Sequence, residues 1–128
     1  SYVSTLLAKH DFVGLQETHG PLVKAHAFRI SDNVTSFWSH WDQRNAGIGL
    51  LLRNSFLDTF DDSPVWEEVV QGRIGRLKLR GESGNLDIWV CYLSASSELE
   101  RALHLKDISA RVASPEAALS IALDDFNF

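Results

Sequence analysis

The sequence predicts an α/β fold, because stretches with strand patterns are joined by a stretch with a helix pattern. Residues 47–52 (GIGLLL) form a nearly unbroken apolar run, which is typical of a strand covered on both faces. Residues 74–80 and 86–92 alternate between apolar and polar side chains, and a glycine-rich loop between them indicates a hairpin. Ser97 begins a capping box, which predicts a helix over 97–112.

The N-terminal half adds two strands and one short helix. Apolar residues at helical spacing predict an amphipathic helix over 2–9, and the apolar run after it predicts a strand over 12–16. A weak alternation rich in aromatic side chains predicts a strand over 35–41. Residues 54–64 have neither pattern and are predicted to be irregular, with an acidic patch at Asp58, Asp61 and Asp62.

The C-terminal half adds two more strands, predicted over 65–70 and 119–123. A proline near the start of 114–116 is typical of a new helix. The helix over 97–112 is expected to present one apolar stripe, which consists of Leu99, Ala102, Leu105 and Ile108. Because side chains alternate along a strand, three cations of the 74–80 strand share one face: Arg76, Lys78 and Arg80.

The bulk composition limits the class of protein. A chain of 128 residues with 45% hydrophobic residues is one domain of ordinary size with enough apolar side chains for a core. The net charge of -5 argues against a wholly basic nucleic-acid-binding module, yet a local basic surface beside an acidic metal site stays possible. Cys91 is the single cysteine, so no intrachain disulfide is expected and an intracellular setting, nucleus or cytoplasm, is permitted. No apolar run is long enough to span a membrane, and no signal-peptide pattern opens the chain.

Two strands of this sequence finish in side chains of the kind that bind metals. The stretch 11–18 (DFVGLQET) is a short apolar run that ends at Glu17, and the stretch 119–128 (LSIALDDFNF) is an apolar run followed by Asp125 and Asn127. In α/β folds, ligands usually bind at the carboxyl ends of strands. The two strand ends therefore predict one shared site.

These two stretches resemble the first and middle signature motifs of the endonuclease/exonuclease/phosphatase family, whose members are Mg²⁺-dependent phosphodiesterases and phosphomonoesterases. The resemblance implies a DNase I-like four-layer α/β/β/α sandwich, with residues 1–128 as a truncated N-terminal part of the domain. The family's first strand, with its Asn, would precede Ser1, and its later Asp motif and terminal Asp-His pair would follow Phe128.

The resemblance also implies a role for each site residue. Glu17 would be the principal ligand of Mg²⁺ (or Mn²⁺), a cation that takes oxygen ligands and often needs only one or two carboxylates. Asp125 would orient and help activate the attacking water, Asn127 would position that water and the phosphate, and Tyr92 would border the phosphate. The chain departs from the family pattern at Asp124, where a Gly is common, and at 93–95, where the family has an Ala-Pro-Asn-like sequence.

Simpler interpretations of the same residues stay open. Glu17 alone is an ordinary solvated carboxylate at a strand end, and an Asp and an Asn two residues apart often close a turn. Tyr92 has the alternative of a core aromatic with its hydroxyl at the rim. The cations Arg76, Lys78 and Arg80 form either a phosphate-binding stripe or, more often in such patterns, a solvated sheet face.

The expected function is metal-dependent phosphodiester hydrolysis by the complete parent protein, with DNA as the favoured nucleic-acid partner. The alternatives are a non-catalytic remnant or interaction fragment of the same fold, and a phosphatase acting on a small phosphorylated molecule or lipid. Residues 1–128 alone are expected to be inactive. They are also expected to self-associate, because the apolar faces at 47–52 and 86–90 would lack a covering sheet.

Overall fold

The computed structural model describes residues 10–16, 32–41, 46–92 and 98–124, which form seven strands and two helices. The strands are β1 (Phe12–Gln16), β2 (Val34–Trp41), β3 (Ala46–Arg53), β4 (Val65–Val70), β5 (Ile74–Gly81), β6 (Gly84–Cys91) and β7 (Leu119–Asp124). The helices are α1 (Asn54–Leu57) and α2 (Glu98–Arg111). No helix in these ranges is both long and apolar enough to cross a membrane.

The strands form two sheets. A three-stranded sheet has the order β1-β3-β2 and is antiparallel throughout. A four-stranded sheet has the order β4-β5-β6-β7, in which β4, β5 and β6 are antiparallel and β7 joins β6 in parallel. A parallel pair needs a long crossover connection, and α2 lies in the connection between β6 and β7. The α/β class is therefore confirmed at the level of a mixed fold with two sheets.

The core lies between the two sheets. Its fully buried members come from β3, β5 and β6 and are Ile48, Leu50, Leu52, Leu77, Leu79, Ile88 and Val90. Alternation along each strand directs these aliphatic side chains to a common inner face. The apolar faces that we expected to be open at 47–52 and 86–90 thus cover each other. The physical reason for expecting self-association is wrong, because the covering sheet is present.

Gly14 brings the middle of β1 close to the four-stranded sheet. A Cβ at this position would lie 3.0 Å from Leu123 Cδ1 and 3.7 Å from Val90 Cγ1. The first distance is shorter than a real Cβ contact allows without movement of the neighbour, so the glycine permits this approach. The glycine inside the DFVGLQET stretch therefore serves to seat β1 against β6 and β7.

Helix α2 packs on the outer face of the four-stranded sheet with only part of the predicted stripe. Ile108 packs against the cluster of Ile74, Trp89 and Cys91, and His104 is the buried residue of the helix. The predicted stripe is confirmed only at Ile108 and is wrong for its other members, since Leu99 is 73% exposed, Leu105 is 46% exposed and Ala102 is exposed. The outer sheet face is partly charged, and the bonds it offers to the helix determine which side of the helix faces it.

Most other predicted elements are confirmed within one or two residues, namely the strands at 12–16, 35–41, 47–52, 65–70, 74–80, 86–92 and 119–123 and the helix at 97–112. Residues 54–64 are predicted to be irregular, and this prediction is wrong for residues 54–57, which form α1. The predicted helix start at 114–116 is a turn, closed by hydrogen bonds from the Ala117 and Ala118 N–H groups to the Ser114 carbonyl. The predicted helix at 2–9 and the cap at Ser97 lie outside the described residues.

Candidate functional site

The carboxyl ends of β1, β6 and β7 meet at one edge of the fold. Gln16 ends β1, and its Nε2 donates a hydrogen bond to the carbonyl of Cys91 at 3.3 Å. Cys91 ends β6 and lies opposite Asp124, the last residue of β7. We call this edge the strand-end rim and define it by Gln16, Arg73, Cys91, Tyr92 and Asp124.

Tyr92 lies on the rim, one residue after β6. Its ring is half-buried and packs against the core between the sheets. Its backbone N–H donates to the carbonyl of Arg73 at 2.7 Å. The structure thus agrees with the predicted position of Tyr92 at a strand end, and it also gives the ring the core packing of the simpler interpretation.

Arg73 is a rim residue that the sequence reasoning did not single out. It ends the turn between β4 and β5, after Gly72, whose φ of 69° favours glycine. Its guanidinium lies over the ring of Tyr92, with Cζ 4.8 Å from the ring centroid. No local sequence pattern marks this residue, because its place at the rim follows from the pairing of β5 with β6.

The charge of Arg73 is only partly compensated within the described residues. Its side chain is 11% exposed, and its nearest described carboxylate is Glu100, with Nε and Oε1 4.0 Å apart. Nε is buried and has no hydrogen-bond partner in the ranges that the structure describes. A desolvated cation without full hydrogen bonding is costly, so an anion at the rim would be stabilised here.

Glu17, Asp125 and Asn127 lie outside the described residues. Two of them directly follow rim residues in the chain, since Glu17 comes after Gln16 and Asp125 comes after Asp124. Among the described residues alone, no three His, Cys, Asp or Glu side chains form a cluster that could hold a metal ion.

The three cations of β5 lie on the outer sheet face, away from the core. Arg76 is almost buried, its Nη2 forms an ion pair with Glu67 Oε2 at 2.5 Å, and its Nη1 donates to the carbonyl of Arg111 at 2.6 Å. Its guanidinium also lies 4.8 Å from the Trp89 ring centroid. The solvated-face interpretation is wrong for Arg76, which instead fastens the C-terminal end of α2 to the sheet.

Glu67 is the acceptor at the centre of this group. Arg111 Nη1 and Lys78 Nζ lie 3.2 and 3.7 Å from its carboxylate oxygens, in addition to Arg76. The hydrogen bond from Arg76 is the main cause that lowers the pKa of Glu67; burial opposes the shift, and the charges of Arg76, Lys78 and Arg111 add to it. The geometry therefore favours a structural ion network over a phosphate-binding stripe.

Two members of the predicted acidic patch, Asp61 and Asp62, lie near the tip of the β5–β6 hairpin, at the opposite end of β6 from the rim. Asp61, Asp62 and Glu82 line an open hollow there, together with Arg80. Asp61 is engaged, because its Oδ2 accepts the Glu82 N–H at 2.5 Å, and the Asp62 N–H donates to the Arg80 carbonyl at 3.1 Å. This hollow is a second acidic location that an experiment must distinguish from the rim.

Comparison with known proteins adds no relative from which a function could be transferred. No family model matches the chain, and no curated protein matches it. The functional argument therefore depends on the two motifs and on the geometry of the strand-end rim.

Proposed function

We propose that this chain carries part of a metal-dependent phosphodiesterase site at the strand-end rim, and that the complete protein is a nuclease acting on DNA. One observation carries the proposal: the ends of β1, β6 and β7 meet, joined by the Gln16–Cys91 hydrogen bond and the Cys91–Asp124 register. In the chain, Glu17 directly follows β1 and Asp125 directly follows β7. The predicted oxygen ligands therefore come directly after two of these three strands.

The donor set of the proposed site suits Mg²⁺ or Mn²⁺. Glu17 would hold the cation, since such hard cations take carboxylate oxygens and keep several waters. The cation, when bound, would polarise the phosphate and stabilise the charge that develops on it.

The remaining roles belong to side chains of this chain. Asp125 would accept a proton from the attacking water, and Asn127 would orient that water by a hydrogen bond. Arg73 would bind a nonbridging phosphate oxygen, because its buried Nε lacks a described partner and a charge-assisted bond to phosphate is strong. Tyr92 would hold the guanidinium in place from below.

The resemblance places further catalytic groups, an Asp motif and an Asp-His pair, after residue 128 of the domain. A phosphorus centre that gains charge needs several preorganised donors. We therefore propose that residues 1–128 by themselves do not hydrolyse phosphodiesters above background.

The test is Mg²⁺-dependent cleavage of plasmid and oligonucleotide DNA by the protein expressed from its complete reading frame. Asp125→Asn is expected to lower turnover by about 10²–10⁴-fold, the usual contribution of a general acid or base. Glu17→Gln is expected to raise the metal concentration required for activity. Asp107→Asn removes an exposed carboxylate on α2 and serves as the control, with activity unchanged.

Full activity in Asp125→Asn would contradict the assigned role of Asp125. No cleavage by the complete protein with either Mg²⁺ or Mn²⁺ would contradict the proposed function and favour a non-catalytic domain of the same fold.

A further inference from the structure

Asp87 is a buried carboxylate that the proposed chemistry does not use. It lies on the outer face of β6 and has 0% exposure. Its Oδ1 accepts a hydrogen bond from Arg80 Nη1 at 2.7 Å. Its Oδ2 is also buried but has no hydrogen-bond partner among the described residues. A buried acceptor without a hydrogen bond destabilises the folded state, so we expect Oδ2 to have a partner.

Ser120 on β7 is placed to be that partner. The parallel register sets Ser120 directly opposite Asp87, so both side chains leave the sheet on the same face. Ser120 Oγ is itself buried and has no hydrogen-bond partner in the described ranges. The two groups do not bond directly to each other in this structure, so we place one shared water between the hydroxyl and the carboxylate.

The apolar pattern of β7 does not by itself select its register on β6. Leu119, Ile121 and Leu123 alternate with the small residues Ser120 and Ala122. A slip by one residue would exchange the two faces and is excluded by burial, but a slip by two residues preserves the pattern. The position of the hydroxyl distinguishes the observed register from the slipped one, as does the hydrogen bond from Asn85 Nδ2 to the Ala117 carbonyl at 2.9 Å just before β7.

We infer that Ser120, which lies opposite Asp87, helps to fix the register of β7 and thereby to position the end of that strand. A two-residue slip would place Ala122, instead of Ser120, beside the buried carboxylate of Asp87. The carboxylate and the hydroxyl would then no longer be neighbours. It would also move β7 along β6 by about 6.6 Å, two residues at the usual strand rise. Asp124 would then no longer lie opposite Cys91, and, on the proposed function, Asp125 would leave the rim with it.

The sharpest test exchanges the hydroxyl and the methyl between two positions of β7. The double variant Ser120→Ala/Ala122→Ser keeps the composition and moves the hydroxyl by two residues. Cross-strand nuclear Overhauser effects between backbone protons report the register directly. We expect a population in which residue 122 pairs with Asp87, whereas the wild type pairs residue 120 with Asp87.

Two single variants complete the test. Ser120→Ala is expected to lower the folding equilibrium constant about tenfold, since a hydrogen bond to a charged group contributes at that level. Ser120→Thr keeps the hydroxyl and is expected to keep the native register. The inference is overturned if the exchanged variant retains the single native register and Ser120→Ala folds as stably as the wild type.

The outcome for the register is independent of the outcome for the metal. If the variants change register as expected while the wild type binds no metal at the rim, the positioning role stands and the proposed function fails. If metal binds at the rim and the register ignores the hydroxyl, the proposed function stands and this inference fails.

Discussion

Arg73 and Arg76 are three residues apart, and both are nearly buried cations lying over an aromatic ring. Arg73 lies over Tyr92 and Arg76 over Trp89, each with Cζ 4.8 Å from the ring centroid. Their hydrogen bonding differs. Arg76 donates from Nε and Nη2 to Glu67 and from Nη1 to a helix carbonyl, whereas Arg73 Nε has no hydrogen-bond partner among the described residues.

The difference separates a structural cation from a candidate ligand-binding one. Arg76 uses its donors within the fold and holds α2, β4 and β5 together on the outer face. Arg73 lies at the strand-end rim with a single described carboxylate, Glu100, at 4.0 Å. The two arginines are similar in burial and in their stacking on an aromatic ring. They differ in whether their hydrogen-bond donors have partners within the fold, and this difference is what indicates a ligand-binding role for Arg73.

Removing the structural arginine is expected to have the largest effect on stability. Arg76→Ala leaves Glu67 and the end of α2 without their main partner. We expect a loss of about 3 kcal/mol in the free energy of unfolding, at the low end for broken buried ion pairs because Glu67 keeps some solvent contact. Urea denaturation measures it. A loss below about 1 kcal/mol, the range of surface pairs, would mean that this network is not structural.

Removing the rim arginine is expected to change binding more than stability. Arg73→Ala should cost only about 1 kcal/mol of stability, the usual range for one cation–π contact. The affinity of the complete protein for a short DNA duplex, measured by fluorescence anisotropy at fixed salt, should fall about tenfold or more, as for a lost charge-assisted hydrogen bond.

Lys106→Ala is the matched control, since it removes an exposed cation from α2, away from the rim. If both variants weaken DNA binding equally, the effect of Arg73 is a general charge effect. That result would contradict a ligand-binding role for Arg73.

The third expected effect concerns the dependence of stability on pH. The pKa of Glu67 is lowered below its ordinary value of 4.5, chiefly by the hydrogen bond from Arg76. The unfolded chain therefore binds a proton at Glu67 more readily than the folded chain does. The resulting stabilisation is present above about pH 4.5 and is lost as the pH falls through the lowered pKa.

Glu67→Gln should be less stable than the wild type by about 1–2 kcal/mol at neutral pH, because a neutral amide accepts more weakly than a carboxylate. The difference should shrink as the pH falls below 4.5. A difference that stays constant from pH 7 to pH 3 would show that the charge of Glu67 is not what stabilises the network.

The strands of this protein can be predicted because their side-chain patterns are local. The apolar run at 47–52 and the alternation at 74–80 follow from burial on two faces and on one face. The orientation of α2 cannot be predicted in this way. Its leucines define the most apolar side, but Arg76 and Arg73 attract the carbonyl of Arg111 and the carboxylate of Glu100 to the sheet.

Part of the candidate site can be predicted for the same reason. A strand that ends in a polar cluster is visible in the sequence, and the ends at Gln16 and Asp124 do lie at one rim. Arg73 is not visible, because its position depends on the pairing of β5 with β6 and on the ring of Tyr92. The contributions of Glu17, Asp125 and Asn127 stay predictions.

Paramagnetic broadening by Mn²⁺ tests the central claim most directly. Amide signals of residues 1–128 are recorded as Mn²⁺ is added, and Glu17→Gln is treated in the same way. We expect the signals of Gln16, Tyr92 and Asp124 to broaden first, and we expect the variant to lose this effect. Broadening centred instead on Asp61, Asp62 and Glu82 at the hairpin hollow, or broadening at the rim that Glu17→Gln leaves unchanged, would contradict a metal site at the strand-end rim.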